Sequence, residues 1–302
     1  MTEPRHAWVD GRLLRADEPH LSAFDRGFQL GDGVFETLRA RGGRVTELDE
    51  HLARLERSAG GLGIRLPGGV AATIARAIDD LLAAEGLTAP DADAALRITV
   101  SRGRFTGRGL LPPGEDPAPT IVVQAWPVAP PPAGHLERGL HLVTSAVRRD
   151  PASPVAALKT TSRADYVFAR LEARAAGADD ALFLTIDGAL SEATSANLFL
   201  VRDAQLATPS LDSAILAGTT RDWLLAWAER VGLQPLEARL TPAELAAADE
   251  AFLSSSVAGI LPVTRFDGRA IGSGRPGPWT ARARADRESF IRGEASAAGP
   301  PR

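Results

Sequence analysis

Apolar residues recur along this chain at the two spacings that distinguish helices from strands. Intervals of three or four residues separate Val70, Ile74, Ala77 and Leu81, so this segment is predicted to be a helix, and Gly86 is predicted to end it. Other segments are short apolar runs bounded by turn-forming residues, which is typical of strands. The remaining predicted elements are a hairpin of 6–9 and 12–14 that turns at Asp10-Gly11, a helix capped by Asp49, strands over 95–101, 120–125, 140–147, 181–186, 197–201 and 251–256, helices over 164–176 and 220–231, and a helix that begins at the capping box Thr241-Pro242-Ala243-Glu244.

The mixture of helices and strands predicts an α/β (α+β) fold in two domains. A chain of 302 residues is long enough for two domains of ordinary size. The proline-rich run 126–134 is predicted to be a semi-rigid connector. We therefore expect a smaller N-terminal α/β domain over 1–125, a larger C-terminal domain over 135–293 and a flexible tail over 294–302.

Composition excludes several classes of function. The chain has no cysteine, and its five histidines lack zinc-site spacing, so we expect no metal. Its 34 basic residues are interleaved with 38 acidic ones, so nucleic acid is a poor candidate partner. No apolar run approaches the roughly 20 residues that span a bilayer, and the N-terminus has no apolar signal segment. We expect a soluble cytoplasmic protein that does not bind membranes.

Lys159 is the only lysine of the chain. Arginine and lysine both supply surface charge, but only lysine loses its proton at moderate pH and attacks a carbonyl. A single lysine is therefore a candidate nucleophile that would hold an aldehyde cofactor as a Schiff base. The alternative is that an arginine-rich composition leaves one lysine by chance.

A pyridoxal phosphate (PLP) site also needs a carboxylate for the ring nitrogen and a binding site for a phosphate dianion. Glu192, between a turn and a strand, is the candidate carboxylate, unless it is an ordinary solvated loop residue. Gly218-Thr219-Thr220 precedes a helix, where free N–H groups favour an anion, although ordinary N-capping explains the same residues. Arg54 lies off the apolar stripe of its helix and could reach the phosphate, or it is simply exposed.

In combination, these residues resemble the class IV aminotransferases. This family of fold-type IV PLP enzymes includes D-amino acid and branched-chain aminotransferases, (R)-amine transaminases and aminodeoxychorismate lyase. The resemblance is carried by 159–163 (KTTSR), 191–199 (SEATSANLF) and 218–221 (GTTR), with support from 24–27 (FDRG), 31–37 (GDGVFET), 51–55 (HLARL) and 254–263 (SSSVAGILPV).

The resemblance implies a class IV aminotransferase-like two-domain fold whose larger domain binds PLP, and a homodimer. It implies that Lys159 is catalytic: this residue would hold the cofactor and move the substrate proton. Glu192 would pair with the ring nitrogen. The cofactor-binding residues implied in this way are Arg54, Lys159, Glu192, Asn197, Thr219, Thr220 and Ser256, and the substrate-binding residues are Phe35, Arg97, Arg108, Ser255 and Val257.

The subfamilies differ at positions that bear on the substrate. Branched-chain aminotransferases tend to have a tyrosine where this chain has Ala95, and often another where it has Arg163. Arg108 resembles the arginine that binds the substrate carboxylate in D-amino acid aminotransferases, but the histidine that accompanies it is Leu110 here. An apolar Leu110 and Phe35 would admit hydrophobic amines.

We therefore predict reversible amino transfer from a D-amino acid or (R)-primary amine to a keto acid. Aminodeoxychorismate lyases share Ser101-Arg102-Gly103 and Gly107-Arg108-Gly109 with this chain, so elimination of pyruvate from aminodeoxychorismate is the first alternative. A branched-chain L-amino acid aminotransferase is the second. A non-catalytic binding protein, in which Lys159 is incidental, is the hypothesis from another class.

Overall fold

The computed structural model describes residues 5–111, 117–132 and 134–294. The chain divides into two compact units, Met1–Ala129 with Leu158–Arg163, and Pro130–Ala157 with Ala164–Arg302. The predicted division into domains stays a proposal. Of the predicted tail 294–302 only Glu294 lies within the described residues, and Ala133 of the predicted connector lies outside them.

The first unit is built on a six-stranded sheet in the order β2-β1-β6-β5-β3-β4. The helices α2 and α3 bury the apolar faces that their periodicity predicts, and Leu55, Ile74 and Leu81 meet the alternate residues Leu96 and Ile98 of β5 in one core. The elements are β1 (His6–Val9), β2 (Arg12–Arg15), α1 (Arg26–Leu30), β3 (Gly33–Arg41), β4 (Arg44–Val45), α2 (Leu48–Gly61), α3 (Val70–Glu85), β5 (Asp93–Ser101) and β6 (Thr120–Pro127).

The second unit contains a nine-stranded sheet in the order β12-β11-β10-β13-β14-β7-β8-β9, with β15 paired to β14. Its elements are α4 (His135–Arg138), β7 (Leu140–Arg149), α5 (Ala164–Ala175), β8 (Asp180–Thr185), β9 (Leu190–Ala193), β10 (Asn197–Arg202), β11 (Gln205–Pro209), a 3-10 turn (Leu211–Ser213), α6 (Thr219–Val231), β12 (Gln234–Ala238), α7 (Pro242–Ala246), β13 (Glu250–Ser255), β14 (Gly259–Phe266), β15 (Arg269–Ala270) and α8 (Pro278–Arg292). The predicted capping box is present at Thr241 and Glu244.

Lys159 lies within the predicted C-terminal domain by position in the chain, but its segment belongs to the first unit. The backbone explains the assignment. The N–H of Phe35 donates to the carbonyl of Lys159 (2.9 Å), and the N–H of Thr161 donates to the carbonyl of Gly33 (2.9 Å). The segment thus pairs with the free end of β3, because β4 covers only the other end of that strand.

Several predicted boundaries were wrong. The helix α2 begins at Leu48 with Glu47 at its N-cap, so Asp49 lies in the first turn instead of capping it. The strand β6 continues to Pro127, which pairs with Ala94 at the end of the sheet, where a missing N–H costs little. The other bounds differ from prediction by one or two residues, because hydrogen bonds rather than side-chain patterns end an element.

Two elements that position the site were missed. The strand β3 is buried on both faces, so it shows no alternation of apolar and polar residues. The inward face of α8 includes the polar Thr280 and Arg287, so its apolar periodicity is weak. Within the parts of the chain that the structure describes, no helix is both long and apolar enough to cross a membrane.

Candidate active site

In the first unit, Lys159 is held beside the ring of Phe35. The Lys159 N–H donates to the Ser58 hydroxyl (3.2 Å), and its carbonyl accepts from the Phe35 N–H. These bonds fix the backbone on both sides of the residue. The side chain is half-buried, and its Nζ lies 4.6 Å from the centroid of the Phe35 ring. The strand β3 and the helix α2 therefore position the backbone of Lys159, the only lysine of the chain.

Two arginines share that ring with Lys159. The Cζ atoms of Arg97 and Arg163 lie 4.0 and 5.7 Å from the Phe35 centroid. Burial lowers the pKa of Arg97, and the charge of Arg163 lowers it further. Three basic side chains around one aromatic ring make this part of the unit suited to anionic groups.

Arg54 does not lie on the polar face of α2 but is buried, with its guanidinium clamped by Glu36. Its Nε and Nη2 donate to the two carboxylate oxygens at 2.8 and 2.7 Å, and His51 Nδ1 lies 2.7 Å from the same carboxylate. Burial alone would raise the pKa of Glu36. The hydrogen bonds from Arg54 and His51, with the charges of Arg54 and Lys159, outweigh burial and lower it to about 2. Glu36 is therefore a carboxylate throughout the physiological range.

The predicted substrate-binding residues of this unit fall into two groups. Phe35 and Arg97 lie on the same face of the sheet as Ala95, because residues two apart on a strand share a face and Phe35 pairs with Thr99 of β5. Arg108 is exposed in the loop after β5, and Leu110 is 80% exposed. The expectation that an apolar Leu110 and Phe35 admit hydrophobic amines stays a prediction.

Arg102, another arginine of the same stretch, is a buried anchor. It donates to both oxygens of Asp32 (2.8 and 3.1 Å) and to the Leu62 carbonyl (2.7 Å). Arg26 binds the same carboxylate at 2.9 Å and donates to the carbonyls of Gly109 and Leu110. Arg102 thus fixes the start of the loop in which Arg108 is exposed.

In the second unit, Glu192 is buried in β9 and its carboxylate is oriented by the backbone. Glu192 Oε2 accepts from the Leu216 N–H (2.9 Å) and lies 3.5 Å from Asn197 Nδ2. Asn197 Nδ2 also donates to the Leu216 carbonyl (2.9 Å). A side chain at Gly218 would collide with Asn197, since an added Cβ would lie 2.1 Å from Asn197 Oδ1. Glu192 and Asn197 are thereby joined to the residues that precede α6.

The helix α6 begins with the predicted anion-binding residues. Gly218 at the N-cap provides no side-chain cap, and Thr219 and Thr220 form the first turn. Thr219 Oγ1 lies 3.4 Å from the Ser256 hydroxyl, in the turn between β13 and β14. Ser255 ends β13, and Val257 follows in the same turn. A helix N-terminus lined by hydroxyls suits a phosphate dianion, which only accepts hydrogen bonds.

Comparison with known proteins agrees with this chemistry. The family model described as amino-transferase class IV matches residues 33–266. A putative branched-chain-amino-acid aminotransferase of Methanocaldococcus jannaschii is 36% identical over 90% of this chain and 92% of its own length. The chain belongs to the class IV aminotransferase family. A D-alanine aminotransferase of Bacillus licheniformis is 32% identical, over 90% of this chain and 92% of its own.

Solved structures of class IV aminotransferases and of a lyase share the fold. A branched-chain amino acid aminotransferase of T.th., solved with pyridoxamine 5'-phosphate, superposes with a TM-score of 0.88 at 28% identity and covers 97% of this chain and 96% of its own. The 4-amino-4-deoxychorismate lyase of Pseudomonas aeruginosa has a TM-score of 0.80 at 34% identity and covers 94% and 98%. The chain is a PLP-dependent class IV aminotransferase that acts on amino acids and keto acids.

Sequence reasoning missed Glu36 and His51. One signal was available, because His51 and Arg54 are three residues apart and therefore adjacent on one face of α2. The apolar stripe of α2 did not indicate that these two side chains are buried, and their burial is what calls for a buried carboxylate. Which carboxylate pairs with them follows only from the packing of β3 on α2.

Proposed function

We propose that this enzyme transfers the amino group of a D-amino acid or an (R)-primary amine to a keto acid. The observation that carries the proposal is the pair Arg97 and Arg163 on the ring of Phe35, with Ala95 beside Arg97 where branched-chain enzymes tend to have tyrosine. Ala95 in place of that tyrosine argues against a branched-chain L-amino acid donor, and the two arginines suit a donor that carries a carboxylate.

Each residue of the proposed site has a physical role. PLP, when bound, supplies an electron sink for the bond broken at the substrate's Cα. Lys159 would hold the cofactor through its Nζ, and the same amine would be the acid and base that moves a proton at the substrate's Cα. Glu192 keeps a proton on the ring nitrogen, and Asn197 fixes the loop that orients Glu192.

Phosphate binding is proposed for Thr219, Thr220 and Ser256, which present hydroxyls and backbone N–H groups at the start of α6. Phosphate binding is also proposed for Arg54, but two of its nitrogens already donate to Glu36. Glu36 accepts hydrogen bonds from its Nε and Nη2, so Glu36 sets the orientation in which this guanidinium would meet the phosphate.

Substrate binding is proposed for Phe35, Arg97, Arg108, Ser255 and Val257. Arg97 is the residue we assign to a substrate carboxylate, because partial burial strengthens its attraction for an anion. Arg108 is exposed in its own unit. Its proposed role in substrate binding therefore depends on the homodimer proposed below.

A homodimer is proposed from the exposed apolar residues around α1. Phe28, Leu110 and Leu111 are 76%, 80% and 71% exposed, and the bonds from Arg26 place residues 109–110 next to α1. Exposed apolar groups of this size are typical of an interface between subunits. Light scattering should give twice the chain mass, and F28D with L110D should reduce it. A cytoplasmic location remains a prediction of the sequence.

The first experiment separates donor classes. The yellow pyridoxal form is mixed separately with D-alanine, (R)-1-phenylethylamine, L-leucine and aminodeoxychorismate, and loss of the cofactor's absorbance band is followed. We expect rapid conversion by D-alanine or the (R)-amine. Conversion by L-leucine alone would refute the donor assignment and favour the branched-chain alternative. Pyruvate release from aminodeoxychorismate without amination of the cofactor would establish the lyase.

The second experiment tests the role of Arg97. D-alanine has a carboxylate and (R)-1-phenylethylamine has none, so Arg97→Met should raise the KM for D-alanine about tenfold, the value of one charge-assisted contact, and leave the KM for the amine unchanged. Arg76→Met, which removes an exposed arginine of α3, is the matched control. Equal effects on both donors would remove Arg97 from the carboxylate site.

A further inference from the structure

We propose that Arg287 is a positioning residue for the phosphate of the cofactor, acting through the hydroxyl of Thr220. Arg287 would hold this hydroxyl as an acceptor, so that the hydroxyl's own hydrogen is directed at the phosphate. The inference rests on the proposed function, in which Thr219, Thr220 and Ser256 bind that group.

The contact between the two side chains has only one possible direction. Arg287 lies on α8, is 1% exposed, and its Nη2 is 3.3 Å from Thr220 Oγ1. A guanidinium has five N–H donors and no acceptor, so Thr220 must accept. The Cζ of Arg287 lies 5.1 Å from the ring centroids of both Trp223 and Phe290, and these rings hold the guanidinium in place.

The direction matters because a phosphate dianion can only accept hydrogen bonds. Thr220 is the second residue of α6, so no helical turn precedes it whose carbonyls could take the hydrogen of its hydroxyl, and that hydrogen can be directed at a ligand. When a cation occupies a lone pair of the oxygen, the O–H becomes a stronger donor. Arg287 thus favours the orientation of Thr220 that binds an anion.

The helix α8 is itself fixed in the second unit. The Glu250 carboxylate accepts from the N–H groups of Trp279 (3.0 Å) and Thr280 (2.8 Å) at the start of this helix. Near its end, Glu288 Oε1 lies 3.4 Å from the position a Cβ would take on Gly259, which closes the turn carrying Ser256. Two successive residues of α8 therefore lie next to the proposed phosphate site: Arg287 contacts Thr220, and Glu288 lies beside the glycine that follows the Ser256 turn.

The test compares PLP with pyridoxal, which lacks the phosphate, by titrating the apoprotein and following absorbance. Arg287→Met should weaken PLP binding about fivefold, the size of one hydrogen bond, and leave the affinity for pyridoxal unchanged. Thr220→Val should have the same selective effect, and the double variant should lose no more than Thr220→Val alone. Arg282→Met is the matched control, since Arg282 is an exposed arginine of α8 over Trp279.

Two outcomes would overturn the inference. Either Arg287→Met leaves the ratio of PLP to pyridoxal affinity unchanged, or its effect adds fully to that of Thr220→Val. If Arg287→Met does not fold, Arg287→Gln replaces it: its amide ends two bonds short of the position of Arg287 Nη2, and an affinity ratio equal to that of the wild type refutes the role. Failure of the proposed function is distinguishable, because Thr219→Ala and Thr220→Val would then leave the ratio unchanged as well.

Discussion

The cluster of Glu36, Arg54 and His51 makes a quantitative prediction about stability. In Glu36→Gln, the amide offers one acceptor oxygen and one donor group where the carboxylate offered two acceptors. Arg54 donates two hydrogen bonds to Glu36, 2.8 and 2.7 Å long. In the variant, one of them is replaced by an N–H group of the amide that faces an N–H group of Arg54. Arg54 is left as a buried cation without its carboxylate, so the folded protein should be much less stable.

The magnitude follows from the pKa of Glu36. The structure lowers the pKa of this carboxyl from the ordinary 4.5 to about 2. Each unit of pKa is worth about 1.4 kcal/mol, so the ionised carboxylate stabilises the folded state by roughly 3 kcal/mol at neutral pH. Because the folded-state pKa is the lower one, this stabilisation is present above pH 4.5 and is lost as the pH falls toward 2.

Urea unfolding of the full chain, followed by circular dichroism, measures the effect. At pH 7 Glu36→Gln should lower the free energy of unfolding by roughly 3 kcal/mol, and the difference from wild type should shrink between pH 4.5 and about 2. The matched control is Asp17→Asn. Arg15 binds Asp17 through the same two nitrogens, at 3.0 and 2.8 Å, but this pair is exposed. We expect no resolvable change in the control at any pH.

A loss at pH 7 that does not exceed the loss in Asp17→Asn would refute the reasoning, because burial would then add nothing to the pair. A loss that stays constant from neutral pH down to about pH 2.5 would also refute it, since the effect would then come from packing and not from the charge of Glu36.

Two further predictions concern the second unit. Glu192→Gln should lower kcat at least about 100-fold, because the ring nitrogen loses the carboxylate that keeps it protonated, while the melting temperature changes little, since the amide oxygen still accepts from Leu216; a kcat within about fivefold of wild type would exclude the assignment. Gly218→Ala should displace Asn197 and weaken PLP binding, because the new Cβ would lie 2.1 Å from Asn197 Oδ1. Gly60→Ala, in a helix with open space around it, should bind PLP as the wild type does, and equal PLP affinity in both variants would contradict the steric argument.

Much of the fold was predictable because its signals are local. The apolar stripe of α3 and its Gly86 stop, the Asp10-Gly11 hairpin and the capping box of Thr241 each depend on residues within a few positions of one another. The family was predictable for the same reason. Its motifs around Lys159, Glu192 and the start of α6 are short segments whose order survives in the sequence, and the family match confirmed the membership they indicate. The roles of the individual site residues remain predictions.

Only the tertiary structure shows the contacts between residues that are far apart in the chain. The pairing of the Lys159 segment with β3 joins residues that are far apart in the chain, and no local pattern encodes it. Glu36 pairs with Arg54, and Arg287 with Thr220, because buried polar groups must find partners wherever packing brings them together. The sequence by itself determined which chemical groups this protein carries and the local elements that hold them. Packing decided which of those groups meet, because the cost of burying a charge is set by its neighbours in space and not in the chain.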